Sequence, residues 1–161
     1  MTSEEYTEWV PMGALAKGLA AIVASIIVLM TLAVLFLKGP VFEDYIGLAF
    51  AWGVLGFILF VFWNFRGLSI QIEGDRLSVV YGLFNRKSFT FQEITSCSKT
   101  KSFGRYMGIG VRYGTDGSMA YTTSFGYAVE VVPKVGRTFV FSSNNPDKVC
   151  EIITKGRPTN L

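Results

Sequence analysis

A dense group of basic and aromatic residues between positions 99 and 112 is the part of the sequence best suited to binding. Its members are Lys99, Lys101, Phe103, Arg105, Tyr106 and Arg112. Cations attract anionic lipid headgroups, and aromatic rings favour the boundary between headgroups and acyl chains. Each cation near an anionic leaflet contributes about 1 kcal/mol, so four would contribute about 4 kcal/mol. Two interpretations stay open: a face that binds lipid or a partner, and a solvated edge strand whose lysines prevent edge-to-edge pairing.

The sequence holds no arrangement typical of catalysis. Histidine is absent, which removes histidine-based triads and histidine-ligated metal sites. Gly104, Gly108 and Gly110 do not follow the dinucleotide-binding order, and no P-loop lysine is present, so these glycines predict turns or bulges. No nucleic-acid-binding signature occurs either. We therefore expect a protein that is not an enzyme, has no cofactor or metal, and does not bind nucleic acid.

The two cysteines, Cys97 and Cys150, are too few for a disulfide framework. Neither has a neighbour at a metal-ligand spacing. The sequence predicts two separate, half-buried thiols in a reducing compartment.

Two long apolar runs precede the basic group and would hold it at a membrane. Residues 18–37 and 45–65 contain no charged side chain. At about 1.5 Å per residue, each run reaches roughly 30 Å, the thickness of the hydrocarbon layer. Acidic residues precede the first run, whereas a signal peptide begins with cations. We predict a leader at 1–13 and a transmembrane hairpin at 14–65, with helices at about 14–37 and 45–65.

The link from Lys38 to Asp44 is short, so the two helices are expected to be antiparallel with both chain termini on one side of the membrane. The cations near the helix ends on that side are Lys17, Arg66, Arg76, Arg86 and Lys87. The connecting link offers Lys38 alone. The positive-inside rule therefore predicts a two-helix protein of the cell (inner) membrane with both termini in the cytoplasm.

Small residues recur at four-residue spacing within both runs and would allow close helix packing. The positions singled out are Gly18, Ala21, Ser25, Gly47, Ala51 and Gly53. Packing within the hairpin and association with another membrane subunit are both open. Because neither run carries a charge, a path for ions through this hairpin alone is not expected.

From residue 66 onward, apolar residues alternate with polar ones. Leu68, Ile70 and Ile72 show this period of two, which is typical of a half-buried strand. About seven short antiparallel strands are predicted, followed by a helix that begins at Pro146 and has Gly156 past its end. The predicted core comprises Phe89, Phe91, Phe139, Phe141, Val149, Ile152 and Ile153. Residues 66–161 hold thirteen basic and seven acidic side chains, a net charge of +6.

Several short stretches accompany this order of strands and helix. They are Tyr81-Gly82-Leu83-Phe84, Gly108-Ile109-Gly110-Val111-Arg112, Gly126-Tyr127-Ala128-Val129-Glu130-Val131, Gly136-Arg137-Thr138-Phe139-Val140-Phe141-Ser142 and Asn145-Pro146-Asp147. With them, residues 45–156 resemble prokaryotic membrane proteins in which a transmembrane hairpin precedes a bacterial PH-like domain, a variant of the pleckstrin-homology superfold.

The resemblance implies a membrane-anchored α+β protein. Its cytoplasmic domain, 66–161, would be a PH-like antiparallel β-sandwich or barrel capped by the C-terminal helix. Such a domain is expected to act as a binding or assembly module in an accessory or scaffold subunit. The expected partner is a membrane protein or a second copy of the chain. The alternative is a module that senses anionic lipid through the face around Lys99–Arg112.

Overall fold

The computed structural model describes residues 5–38, 42–101, 108–114 and 116–157, which form two compact units. One unit is helical and covers Ala14–Asn64. The other combines the residues up to Gly13 with those from Phe65 onward. The helical unit is therefore inserted into the sequence of the second, β-rich unit.

The helical unit consists of α1 (Ala14–Ala33), which continues as a π-helical turn (Val34–Lys38), and α2 (Phe42–Asn64). Both helices are long and apolar enough to cross a bilayer. Of their most apolar stretches, 0% and 6% are buried inside the protein, whereas a core helix of a soluble domain is mostly covered. The predicted link partly belongs to α2, and its residues 39–41 lie outside the described part of the chain.

One face of α1 packs on α2. Its half-buried positions recur at 20, 23, 24, 27 and 31, the spacing of a single helix face. Thr31 on this face accepts a hydrogen bond from the indole nitrogen of Trp52 in α2, at 3.1 Å. On α2, Leu55 is buried and Ala51 is half-buried. The contact is thus mainly aliphatic, with one polar link.

The first sheet of the β unit is antiparallel, with the order β1-β2-β3-β4. Its strands are β1 (Tyr6–Pro11), β2 (Gly67–Glu73), β3 (Arg76–Tyr81) and β4 (Asn85–Thr90). In the β1–β2 pair, Tyr6 lies opposite Ile72 and Pro11 lies opposite Gly67. The segment predicted as a separate leader is therefore a strand of the domain. Its partner lies beyond both helices in sequence, so no local pattern indicates the pairing.

The second sheet has the order β5-β8-β9-β7-β6. Its strands are β5 (Ile94–Lys101), β6 (Gly110–Tyr113), β7 (Met119–Thr122), β8 (Tyr127–Pro133) and β9 (Phe139–Ser142). All neighbours are antiparallel except β7 and β9, which run parallel. Eight described strands follow residue 66, close to the expected seven or so, and the expectation that all are antiparallel is wrong for the β7–β9 pair. Alternation identifies strands, but it does not specify which strands become neighbours.

The inner faces of both sheets and α3 (Pro146–Lys155) enclose one core. Phe91, Phe139 and Phe141 are buried there, as are the three predicted aliphatic residues of α3, which confirms that part of the core. Phe89 is half-buried at the edge of this cluster. Phe91 begins a 3-10 turn (Phe91–Glu93) rather than continuing the strand. The architecture is a mixed α+β fold with a helix at its C-terminal end.

A glycine at position 156, just past the end of α3, is favoured for a steric reason. Its φ of −77° lies in the right-handed region, so the left-handed cap expected for a glycine here is not formed. The ring of Phe91 instead occupies the place where a Cβ of residue 156 would stand. The small residue therefore permits close packing of a core aromatic against the helix end.

The two cysteines are joined, which corrects the prediction of separate thiols. Cys97 of β5 and Cys150 of α3 form a disulfide, with their Cα atoms 5.4 Å apart. Both side chains are half-buried against the core. The pair is separated by 53 positions in sequence, and only the packing of α3 on β5 brings it together.

Candidate functional site

The structure places three of the six residues in the predicted basic and aromatic group. Lys99 and Lys101 lie on β5, and Arg112 lies on β6. Phe103, Arg105 and Tyr106 fall within 102–107, outside the described residues.

Lys99 is engaged with its own domain. Its ammonium nitrogen lies 2.6 Å from a carboxylate oxygen of Asp147 at the start of α3, and 4.7 Å from the ring centre of Tyr127. The hydrogen bond to Asp147 raises the pKa of Lys99 above its usual value. Lys99 therefore links β5 to α3, and any ligand would compete with Asp147 for it.

Arg112 also has an internal partner. Its guanidinium donates to the carbonyl oxygen of Ile109 at 3.2 Å. It lies against Gly108, where an added Cβ would stand 2.8 Å from a guanidinium nitrogen. Gly108 has a φ of +100°, a region that side-chain-bearing residues rarely adopt. Arg112 thus stabilises the turn that leads into β6, whereas Lys101 is exposed.

Lys101 and Gly108, the described residues on either side of 102–107, lie near the place where the chain of the β unit connects to the helices. We call this place the attachment end and define it by Met12, Gly13, Arg66 and Gly67. The Met12 amide donates to the Arg66 carbonyl at 2.8 Å, and the Gly13 amide donates to the Thr123 carbonyl at 2.9 Å. The turn that starts at Thr123 leads to Tyr127, which pairs with Lys101. On the other side, Thr122 donates to the carbonyl of Gly108 at 3.1 Å.

A second feature, which the sequence analysis did not predict, is a groove between β4 and the turn that joins β8 to β9. Two adjoining cavities of about 370 and 620 Å³ share Phe89, Pro133 and Val135 as lining residues. We call them together the β4 groove and define it by Lys87, Phe89, Met119, Val135, Arg137 and Phe139.

The β4 groove arises from the strand register. Lys87 and Phe89 lie opposite Val79 and Leu77, so all four share the inner face of the first sheet. Phe89 reaches the core, with its ring centre 5.7 Å from that of Phe139, and it also lines the groove. The groove therefore has apolar side chains bordered by the cations Lys87, Lys134 and Arg137, with the carboxylate of Glu93 in the second cavity. The sequence signal that could have predicted the groove is Lys87, which lies two positions before Phe89 on β4 and so on the same face as the core residues.

Glu8 is a buried carboxylate that ties β1 to the segment before α3. One carboxylate oxygen accepts hydrogen bonds from the Tyr6 hydroxyl at 3.0 Å and from the Ser143 hydroxyl at 2.8 Å. The other oxygen accepts a hydrogen bond from the backbone N–H of Asn144 at 2.5 Å. Burial and the neighbouring carboxylate raise the pKa of Tyr6 to about 12. The sequence pattern assigned Glu8 to an acidic leader, whereas it connects distant parts of the domain.

Buried Tyr81 makes the domain sensitive to high pH. Its hydroxyl donates to the Thr122 carbonyl at 3.3 Å, and burial raises its pKa to about 12. Because the folded-state pKa exceeds the unfolded value of about 10, this contribution is present below pH 10 and is lost as the pH rises towards 12. A shift of two units corresponds to at most about 2.7 kcal/mol. We expect Tyr81→Phe to lose less stability than wild type between those pH values in denaturant unfolding, and equal losses would contradict this assignment.

The chain thus presents an exposed lysine near the attachment end, an apolar groove bordered by cations, and polar contacts that hold the domain together. No family model matches the chain, and no curated protein shows significant similarity to it.

Proposed function

We propose that this chain is a membrane-anchored binding module with a PH-like β domain, acting as an accessory or scaffold subunit of a membrane protein complex. In this proposal the β4 groove holds an extended segment of a partner protein that carries apolar and acidic side chains. The observation that carries the proposal is the groove itself, in which Phe89 and Met119 are bordered by Lys87 and Arg137.

The groove suits an extended segment in shape and in charge. β4 ends the strand order of its sheet in the described residues, and the edge of a sheet can pair with an added strand through main-chain hydrogen bonds. Apolar side chains of that strand would pack on Phe89. Lys134, Lys87 and Arg137 would attract acidic ones. The +6 charge of residues 66–161 increases this attraction.

The insertion of the helices supports the anchoring. Pro11 and Gly67 are paired across β1 and β2, so the chain leaves and re-enters the β unit at neighbouring positions. If α1 and α2 both cross the bilayer, they cross in opposite directions and return the chain to the same side.

The helices also have exposed surface that a partner within the membrane could contact. Apart from the adjoining residues and the backbone of the same helix, no described residue has an atom within 4 Å of a Cβ added at Gly18, Gly47 or Gly53.

The other small residues chosen from sequence fit this arrangement. Ala21 and Ser25 are exposed on α1, and the Ser25 hydroxyl donates to the Ala21 carbonyl of its own helix at 2.8 Å. Of the six positions, only Ala51 lies half-buried in the hairpin. The exposed positions are therefore proposed to contact another membrane subunit or a second copy of the chain.

A site-specific cross-link tests the groove in the full chain. A photoreactive amino acid at Val135, which is 90% exposed, should cross-link to one partner through a segment rich in Asp and Glu. The same probe at exposed Ser98 serves as the control position. The double change Val135→Asp with Arg137→Glu should abolish co-purification of that partner, because it places negative charge where acidic side chains would lie.

The matched control is Ser98→Asp with Lys155→Glu, which changes the net charge by the same amount away from the groove. It should retain the partner. Equal cross-linking at Val135 and Ser98, or equal loss of the partner from both double variants, would refute the groove as the binding site.

The alternative function, sensing of anionic lipid, is favoured by one observation: Lys101 and Gly108, which bracket the 102–107 segment, both lie near the attachment end. The test uses a soluble version in which a short turn joins residues 1–13 to 65–161, so that β1, Gly13 and Phe65 are kept. It should bind anionic vesicles and release them as salt rises, since exposed charges are screened over about 8 Å at physiological ionic strength.

Changing Lys99, Lys101 and Arg105 together to Gln should weaken vesicle binding by about 2 kcal/mol, from two cations at about 1 kcal/mol each. Lys99 adds little because it is already paired with Asp147. The control variant, in which Lys134, Arg137 and Lys148 are all changed to Gln, should weaken vesicle binding much less. Equal losses would indicate nonspecific attraction and would exclude the lipid-sensing alternative.

The proposed topology places both termini in the cytoplasm of a cell whose inner membrane holds the hairpin. The lysine and arginine distribution supports this side. The Cys97–Cys150 disulfide points to the other side, because disulfides persist in oxidising compartments. In a Cys97→Ser, Cys150→Ser background, an impermeant thiol reagent added to intact cells should label Val41→Cys and not Leu161→Cys. Both positions lie outside the described residues. The reverse pattern would place the β domain on the oxidising side.

A further inference from the structure

We propose that the turn between β3 and β4 is a third membrane contact, in which Leu83 and Phe84 insert into the lipid interface beside the two helices. The inference rests on the membrane anchoring of the proposed function. It concerns a surface distinct from both the β4 groove and the group around Lys99.

The strand register places this turn at the attachment end. Pro11 lies opposite Gly67, and Leu68 lies opposite Tyr81, the last residue of β3. The turn after Tyr81 therefore leaves the sheet at the same end as the connections to α1 and α2. Phe65, which directly follows α2, packs on Tyr81 with the ring centres 5.1 Å apart.

Chain length sets the distance from this end to the bilayer. α2 ends at Asn64, three residues before β2 begins at Gly67. At about 3.3 Å per residue, such a connection spans at most about 10 Å. Tyr81 and Asn85 lie opposite each other, so Leu83 at the tip of the turn is two residues beyond the sheet and its Cα reaches at most about 7 Å from it, to which the side chains of Leu83 and Phe84 add their own length. The side chain at that tip can therefore arrive at the membrane surface without unfolding any strand.

The chemistry of the turn suits an interface with lipid. Leu83 is 64% exposed and Phe84 is 80% exposed, and adjacent exposed apolar side chains at a hairpin tip commonly mark a contact surface. Arg86 follows two residues after Phe84 and would meet anionic headgroups. Apolar side chains next to a cation suit the boundary of headgroups and acyl chains.

Other aromatic side chains surround the attachment end. The half-exposed ring of Trp9 lies over Gly67, and the Arg66 guanidinium is 6.0 Å from the Trp9 ring centre. The turn that follows Thr123 carries the partly exposed Phe125, and the Thr123 carbonyl accepts a hydrogen bond from the Gly13 amide. Tryptophan is enriched at membrane interfaces because its ring is apolar in body and carries a polar N–H, and phenylalanine occurs on the apolar faces of interfacial segments. Lipid is therefore the occupant that fits this whole end of the domain.

The contact would orient the binding module. Along the first sheet, Phe89 lies opposite Leu77, Leu77 opposite Ile72, and Ile72 opposite Tyr6. This row is at the end of the sheet remote from Pro11 and Gly67. With the turn held in the interface, the part of the β4 groove near Phe89 would face away from the membrane, where a partner segment can reach it.

The experiment uses the full chain reconstituted in vesicles of pure anionic and zwitterionic lipid. An environment-sensitive fluorescent amino acid is placed singly at Phe84, Val135 or Leu29. Lipids brominated in the upper acyl chain report contact with the interface, which such segments enter to a depth of about 5–10 Å. Iodide reports access from water.

The probe at position 84 should lose most of its emission to brominated lipid and resist iodide, whereas the probe at position 135 should behave in the opposite way. Iodide quenching at 84 equal to that at 135 would overturn the proposal. So would protection at 84 in native membranes that is absent in pure lipid, since a protein would then cover the turn.

The probe at Leu29, an exposed position near the middle of the uncharged run 18–37, separates this inference from the anchoring on which it rests. If Leu29 is quenched by lipids brominated deep in the acyl chain and Phe84 is open to iodide, the hairpin is embedded and only the third contact fails. If Leu29 is itself open to iodide, the anchoring fails and the third contact fails with it.

Discussion

Replacing Phe139 by alanine is expected to lower the free energy of unfolding of the β domain by about 3–5 kcal/mol. Phe139 is 2% exposed, and its ring centre lies 4.9 Å from that of Tyr121 in an edge-on contact. It also touches Phe89 and Phe141, each with ring centres 5.7 Å away. The substitution would leave a cavity between rings that belong to both sheets. Such cavities close poorly, because the neighbouring strands are held by their own hydrogen bonds.

Denaturant unfolding of the soluble version, 1–13 joined to 65–161, measures this effect. The control is Val135→Ala, a change at an exposed site on the same β8–β9 connection, which should alter stability by less than about 0.5 kcal/mol. A loss below about 1 kcal/mol for Phe139→Ala would remove this residue from the core, because fully buried phenylalanines lose several times more.

Reduction of the Cys97–Cys150 disulfide is expected to lower stability by about 4 kcal/mol, since the bond closes a loop of 53 residues and restricts the unfolded chain. Unfolding with and without reductant measures the difference. The variant Cys97→Ser with Cys150→Ser should match the reduced protein and show no response to reductant. A wild-type protein whose unfolding midpoint is the same in both conditions would show that the thiols are not joined in solution.

The state of the two cysteines also depends on the side of the membrane on which the β domain lies. If the β domain faces the cytoplasm, its thiols remain reduced and the domain must be stable without the bond. If it faces an oxidising compartment, the bond adds to stability in place. The redox state of the pair in cells therefore supports or opposes the side that the cation distribution predicts.

Local patterns predicted the elements whose evidence lies within a few residues. The uncharged runs predicted α1 and α2, and alternation at Leu68, Ile70 and Ile72 predicted β2. Pro146 predicted where α3 begins. In each case the periodicity or the end signal is contained in the element itself, so one sequence is sufficient.

Contacts between distant segments could not be predicted in this way. Glu8 bonds to Ser143 and Asn144 more than 130 positions later, and Lys99 pairs with Asp147. In sequence, β1 resembles a polar leader, and only its pairing with β2 identifies it as a strand. A fragment that begins at residue 66 would therefore lack both a strand of the first sheet and the buried carboxylate.

The candidate sites show the same difference between features that are local in sequence and features that depend on packing. Composition alone located the cations and aromatic rings between 99 and 112, because charge density is a property of the sequence. Which cations remain available was decided by packing: α3 pairs with Lys99, and the turn before β6 occupies Arg112. The β4 groove and the position of Leu83 and Phe84 at the attachment end depend on register and on which strands become neighbours. The sequence by itself determined the two apolar helices and the alternation of the strands. Only the tertiary structure decided which residues meet, because strand pairing over long separations leaves no local periodic signal.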